Sequence, residues 1–244
     1  IAQKAGHEVF LLEKYTDKAQ LLEAVADVDA MIVRSDKVTA EVVAAAPQLK
    51  IVVRAGAGFD NLDLPACTEK GIVAMNTPGQ NSNAVAELAL AMMIFMSRNQ
   101  FTPGTGMELK GKKVGIQAYG NVGRLVAEKA KALGMEVMAF DPFVPAEKMV
   151  AEGVIPAETL EQMYEQCNFI SLHIPAIPAT IGSINYDLIS RMPKGGCLVN
   201  TARKEVINEP ELVKVLSDRP DLKYVTDVAA AIQAELNEKF PKQV

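Results

Sequence analysis

The sequence predicts an α/β protein built from two doubly wound domains, each a parallel sheet covered by helices on both faces. Three observations carry that prediction. Short β-rich runs alternate with helical patterns along the chain, one long apolar helix interrupts the alternation near its middle, and a glycine-rich turn follows a strand pattern in the second half.

Taken in order, "IAQKAGHEVFLLE" reads as a helix tail followed by a strand over "EVFLL". "DKAQLLEAVAD", "TAEVVAAA" and "LPACTEKG" read as helices between the β-rich runs "DAMIVRS", "LKIVVRAG" and "IVAMN". These make a first domain over residues 1–78. The segment "TPGQNSNAVAELALAMMIFMSRNQ" offers Ser82 or Asn83 as a helix cap and is apolar around most of its circumference. It is either a buried core helix or a linker helix, at 83–98, packed between domains or subunits. After "QFTPGTGMELKGKK" the alternation restarts through "KVGIQAY", a helix from Asn121 to Leu133, "EVMAF", "LEQMYEQ", "FISLHIP", "CLVNTA", "EPELVKVLSD" and "KYVTDV". Residues 79–244 form this second domain. The sequence opens at Ile1 in the middle of a pattern and stops at "FPKQV", so a piece of a longer chain is expected, with the first domain truncated and the return to it missing.

With 244 residues, 49% of them hydrophobic and 23% charged, the chain can bury a sizeable core. No apolar run reaches the roughly 20 residues that span a bilayer, and "AVAELALAMMIFM" carries Glu87, so no membrane partner is expected. A net charge of −5 without a Lys/Arg tract argues against a nucleic-acid surface. Cys67, Cys167 and Cys197 form no CxxC pair and suggest a reduced, cytoplasmic chain. His7 and His173 share no ligand spacing, so no metal is expected.

"KKVGIQAYGNVGRLVAEKAKALGMEVMAFD" has the strand, turn, helix, strand order of a Rossmann dinucleotide unit. Gly120 stands where phosphates approach the backbone, and Gly123 where the helix packs on the strand. Ala118 replaces the first glycine, and alanine serves there provided its φ stays negative. Asp141, 18 residues beyond Gly123, would accept hydrogen bonds from a ribose diol and repel a 2′-phosphate, which favours NAD over NADP.

"VVRAGAGFDNLDL", "NTPGQNSNAVAELALAMM", "GKKVGIQAYGNVG", "SLHIPAIPATIGSINYDLISRMPKGGCLVNTAR" and "YVTDV", in this order over nearly the whole chain, resemble the D-isomer-specific 2-hydroxyacid dehydrogenases. Within that family the chain looks most like the short-type enzymes acting on 3-phosphoglycerate, which lack a regulatory domain. The resemblance implies a flavodoxin-like substrate domain, an NAD-binding Rossmann domain and a homodimer supported by the apolar helix. It implies that Arg203 grips the substrate carboxylate and developing carbonyl, and that the backbone of Arg54, Ala55, Gly56, Ala57 and Gly58 holds the carboxylate. Arg34, Ser35 and Lys37, with Arg54, would face the substrate's phosphate. Asn83, Tyr119, Asn121, Val122, His173, Ile174, Pro175, Thr180, Thr201, Ala202 and Asp227 would join Gly120, Gly123, Asp141 and Arg203 around the cofactor.

Two departures bear on the chemistry. The general base of such enzymes, a histidine far downstream of Arg203, lies in a segment this sequence lacks. The glutamate that orients it is absent from its usual place after Asp227, which leaves Glu235 as the candidate. The expectation is therefore a lysine base in the missing segment, which needs no partner to fix a tautomer. Lys204 also replaces the glycine that commonly follows the arginine. The function expected is NAD-dependent oxidation of 3-phospho-D-glycerate to 3-phosphohydroxypyruvate, at the entry to serine biosynthesis. The alternatives are a dehydrogenase for glycerate, lactate or glyoxylate, and a non-catalytic NAD-sensing protein like the corepressors of the superfamily.

Overall fold

Local capping starts most of the helices in the first part of the chain. Asp17 accepts from the Ala19 N–H while Gln20 reaches back to the Asp17 N–H, a capping box that opens α1 (Lys18–Ala24). Thr39 caps α2 (Ala40–Ala45) and Asp63 caps α3 (Leu64–Glu69). In this computed structural model, which describes residues 2–244, the chain divides into two units, Ile1–Asn81 and Ser82–Val244. The boundary expected from the sequence lay at residue 78.

In the first unit β1 (Ala30–Val33), β2 (Ile51–Arg54) and β3 (Val73–Met75) pair in parallel in that order. Met31, Val33 and Val52 point to one face and share a core with Val42, Val43, Leu49, Cys67 and Ile72. The strand expected over "EVFLL" does not form. Residues 7–13 have no regular structure, and Phe10 and Leu11 are 73% and 74% exposed. A strand needs a ladder partner, and β1 pairs with β2 alone, so the apolar run has nothing to bond to.

The second unit opens with α4 (Ser82–Ser97). Then come β4 (Lys113–Gln117), α5 (Asn121–Ala132), β5 (Glu136–Phe140), α6 (Ala146–Ala151), β6 (Ile155–Pro156) and α7 (Leu160–Gln166). The chain continues with β7 (Phe169–Leu172), α8 (Tyr186–Ser190), β8 (Cys197–Asn200), α9 (Glu209–Asp218), β9 (Lys223–Thr226) and α10 (Gln233–Lys239). The six strands form one parallel sheet in the order β6-β5-β4-β7-β8-β9.

Alternation along the strands feeds two cores. Val114, Ile116, Val137, Ala139, Phe169 and Val199 pack with Val126, Ala127 and Ala130 of α5. Met138, Ile170, Leu172, Leu198 and Tyr224 pack with Met163, Leu188, Leu212 and Leu236 of the other helices. Central strands covered on both faces are mostly apolar, which is why they read as near-continuous runs in the sequence. The long apolar helix α4 packs within this unit, where Ala86, Ala89, Leu90, Met93 and Met96 share the α5 core.

A polar tie fixes the far edge of this sheet. Asp221 accepts from Arg219 at 2.9 and 2.8 Å and from the Gly195 N–H at 2.9 Å, joining the turns that precede β8 and β9. The Arg219 guanidinium holds this carboxyl well below the usual carboxylate range. A depressed folded pKa adds stability that is present above the unfolded pKa and is lost as pH falls below it. Asp221→Asn should therefore cost about 1–3 kcal/mol at neutral pH, with the difference from the parent shrinking below about pH 4. Urea unfolding at the two pH values measures it, and equal stability at neutral pH would show that the tie contributes nothing.

Candidate functional site

β4 is the strand from which the sheet order runs outward in both directions, and its C-terminal end is the switch point at which α/β sheets bind nucleotides. Ala118, just past it, has φ of +77°, in the left-handed region. The expectation that alanine would serve with negative φ is thus overturned. The residue keeps a glycine-like turn, at a cost of about 1–2 kcal/mol. The turn is closed by hydrogen bonds from Ala118 N–H to the Phe140 carbonyl (3.0 Å) and from Tyr119 N–H to Asp141 Oδ2 (2.8 Å).

The two later glycines answer to different demands. A Cβ on Gly123 would lie 2.3 Å from the Ala118 carbonyl oxygen, so packing of α5 on the turn excludes any side chain. Gly120 has φ of −86°, and a Cβ there would meet no protein atom within 4 Å. Nothing in the chain itself asks for glycine at 120. The open space lies at the N-terminus of α5, where the N–H groups of Asn121 and Val122 have no partner inside the helix and suit a diphosphate. Asp141 is fixed at the end of β5, the strand beside β4, by the Tyr119 and Phe143 N–H groups (2.8 and 2.9 Å). The Tyr119 side chain turns away from a cofactor role: its phenol is buried and donates to Glu152 Oε2 at 2.8 Å.

Between β7 and α8, His173 N–H donates to the Gln117 carbonyl (2.9 Å) and its ring Nε2 lies 3.0 Å from Ser171 Oγ. Burial pushes the imidazole down to about 4, so the ring is neutral near pH 7. Ile174 is buried and Pro175 exposed. The Thr180 hydroxyl accepts from Ile177 N–H (3.0 Å) and donates to the Pro175 carbonyl, so it closes its own turn. Asn83 is exposed and donates to Glu87 at 2.6 Å along α4.

Beyond β8 the chain is pinned by a residue the sequence reading passed over. Asn200, fully buried, accepts from Ala202 N–H and donates to the Arg203 carbonyl, both at 3.0 Å. Its own carbonyl accepts from the Thr226 hydroxyl at 2.9 Å. A polar residue ending the apolar run "CLVN" was the available signal. On this loop Thr201 Oγ1 is buried and, among the described residues, makes no hydrogen bond. An orphaned buried hydroxyl costs about 1–3 kcal/mol unless a ligand satisfies it. With the open face of Gly120 and the fixed Asp141, it fits this unit to a dinucleotide. Arg203 Nη1 donates to the Ala202 carbonyl at 2.8 Å. Burial raises the Asp227 carboxyl, and the nearby Arg203 charge opposes that shift. Glu235 lies on α10 in a surface ion pair with Lys239 (2.7 Å), one turn along the same helix.

In the first unit, Arg54 Nε donates to the Arg34 carbonyl at 3.1 Å, and its guanidinium lies close against Gly56. A Cβ on Gly56 would overlap Arg54 Nη1 at 1.4 Å. The N–H groups of Ala55 and Gly56 are taken by the Val33 and Arg54 carbonyls, at 2.7 and 2.8 Å. Those of Ala57 and Gly58 make no hydrogen bond among the described residues. Of the five residues expected to present backbone to a carboxylate, these two keep a donor available. Arg34, Ser35 and Lys37 are exposed beyond the end of β1.

Two outcomes follow from this geometry. Gly123→Ala should destabilise the fold by about 2–4 kcal/mol, because a backbone carbonyl cannot yield as a side chain would. Circular dichroism on heating reads it, and an unchanged melting temperature would refute the packing account. For His173 the folded pKa lies below the unfolded one, so the unfolded chain binds more protons between them. Stability should fall as pH drops from about 6.5 toward about 4 and level off below. His173→Gln should remove that component of the acid loss in urea titrations, and an identical pH profile in the variant would contradict it.

Residues 84–242 match the family model described as the NAD binding domain of D-isomer specific 2-hydroxyacid dehydrogenase. The D-3-phosphoglycerate dehydrogenase of Methanocaldococcus jannaschii is 37% identical over 82% of this chain and 41% of its own length. The hydroxypyruvate reductase of Thermotoga maritima is also 37% identical, over 84% of this chain and 70% of its own. The chain thus spans about two fifths of the first of these relatives. The crystal structure of NAD+-bound 3-phosphoglycerate dehydrogenase from Entamoeba histolytica superposes with a TM-score of 0.92 at 46% identity, covering 99% of this chain and 77% of that one. The nucleotide turn, the fixed Asp141 and the orphaned Thr201 hydroxyl agree with that match, and the chain belongs to the D-isomer specific 2-hydroxyacid dehydrogenases, with NAD as its cofactor.

Proposed function

We propose that the protein oxidises the 2-hydroxyl of 3-phospho-D-glycerate to 3-phosphohydroxypyruvate with NAD, at the entry to serine biosynthesis, as a cytoplasmic homodimer. The observation that carries the reading is Arg203, a guanidinium on a loop pinned by the buried Asn200, in the same sheet as a turn shaped for a dinucleotide. Bound NAD would supply the hydride acceptor for C2. Gly120 and the first N–H groups of α5 would hold its pyrophosphate and Asp141 its ribose diol. Asp227 would receive the carboxamide, and Thr201 and Asn83 would line the nicotinamide half.

The Arg203 fork suits the substrate's carboxylate and the oxygen that becomes a carbonyl, because a guanidinium binds two oxygens at once and stays charged. The Ala57 and Gly58 N–H groups suit the carboxylate as well. Arg34, Ser35, Lys37 and Arg54 suit the phosphate. His173 is a poor base for the hydroxyl proton, since burial holds it near 4, far from the operating pH that favours proton transfer. The surface pair of Glu235 with Lys239 gives no support to the orienting role expected for that carboxylate.

A second reading, a reductase for unphosphorylated hydroxypyruvate, draws on the equal identity of the Thermotoga maritima enzyme. NADH formation from 3-phosphoglycerate, D-glycerate and D-lactate separates the two. Turnover should favour the phosphorylated acid, and Arg34→Ala should raise KM for it while leaving D-glycerate unchanged. Arg203→Lys should cost about 2–3 kcal/mol in kcat/KM. Equal turnover of the unphosphorylated acids would move the protein to the second reading. Tight NAD binding without any turnover would point to the non-catalytic sensor.

A further inference from the structure

We propose that the buried phenol of Tyr119 and the carboxylate of Glu152 form a clamp that holds the nucleotide turn in the left-handed shape its missing first glycine would otherwise supply, which makes both positioning residues for NAD. The inference rests on NAD lying over Gly120.

Its starting point is the cost at Ala118. With φ of +77° this alanine is disfavoured by about tenfold or more relative to a relaxed backbone, a penalty glycine would not carry. Of the other non-glycine residues with positive φ, Lys14, Asn99 and Phe101 are exposed, and Gln100 is half-buried with its side chain on the Val244 carbonyl, away from the nucleotide turn. Relaxation of Ala118 would swing the next peptide. The Tyr119 N–H would leave Asp141, and Gly120 would leave the α5 N-terminus, so both proposed cofactor contacts depend on this one torsion.

The residue after the strained alanine is held from its side chain. Tyr119 is 1% exposed, and its hydroxyl donates to Glu152 Oε2 at 2.8 Å. Arg124, in the first turns of α5, lies over the Tyr119 ring at 4.7 Å and forms an ion pair with the same carboxylate. Glu152 therefore receives both ends of the turn, residue 119 before Gly120 and residue 124 after it. Its own backbone is fixed at the end of α6, with its N–H on the Lys148 and Met149 carbonyls and its carbonyl accepting from Lys131. Neither the phenol nor the carboxylate is used by the proposed chemistry. Their position accounts for a turn that survives without its glycine.

A double-mutant cycle tests the clamp against a general packing role. NAD dissociation constants would be measured by calorimetry for the parent, Tyr119→Phe, Glu152→Gln, Ala118→Gly and the two doubles, with hydrogen exchange of the Tyr119 and Gly120 amides followed without cofactor. Loss of either clamp residue should weaken NAD binding by about five- to tenfold beside Ala118, but by no more than about twofold with Ala118→Gly present. Amide exchange should quicken in the same pattern. Equal losses in both backgrounds, or none in either, would overturn the clamp and leave the phenol as ordinary core. If the parent failed to bind NAD, the cofactor placement would fall. The exchange data would then decide the clamp alone, with faster exchange confined to the Ala118 background supporting it.

Discussion

The contact on which the second unit depends is the approach of Gly123 to the Ala118 carbonyl. A β-carbon at 123 would come within 2.3 Å of that oxygen, so α5 can sit as close to β4 as it does only with glycine there. This closeness puts the α5 N-terminus beside the end of the central strand and fills the space behind it with Val126, Ala127 and Ala130. It also sets the direction in which the turn leaves β4, and thereby the place of Tyr119 N–H on Asp141. A helix one methyl further out would lose the β4–α5 packing and the nucleotide turn together.

The other polar positions on this unit show what is finished inside the protein and what is left for a ligand. Asn200 spends its carboxamide on the backbone of residues 202 and 203, and Thr180 spends its hydroxyl on its own turn. Thr201, on the loop that Asn200 secures, keeps a buried hydroxyl without a partner among the described residues. Evolved cores rarely leave such a group unsatisfied. The contrast along one short loop, from a saturated amide to an orphaned hydroxyl, separates scaffold from binding surface.

Much of this was legible in the sequence because the signals were local. Runs such as "FISL" and "CLVN" are apolar but for one buried polar residue each, Ser171 and Asn200, as strands covered on both faces favour, and caps such as Asp17 and Thr39 sit at fixed offsets from their helices. The rest depended on tertiary partners. "EVFLL" has the composition of a strand, yet no neighbour completes its ladder. The φ of Ala118 is set by what holds Tyr119 and Asp141, and composition does not report it. Tyr119 sits inside the loop motif, so its backbone suggested a cofactor contact while its side chain belongs to Glu152, 33 residues further along. The core position of α4 likewise came from its partner α5, since an all-round apolar pattern leaves the choice of partner open.

Whether NAD lies against the backbone of Gly120 is read by the calorimetric affinity of Gly120→Ala for NAD. No protein atom lies within 4 Å of the added carbon, and the φ of −86° suits alanine, so the fold and its melting temperature should be unchanged. This intact variant should bind NAD at least about tenfold more weakly, because the methyl would occupy the space of the pyrophosphate. A folded variant with the parent's affinity would contradict that placement and remove the cofactor from this turn.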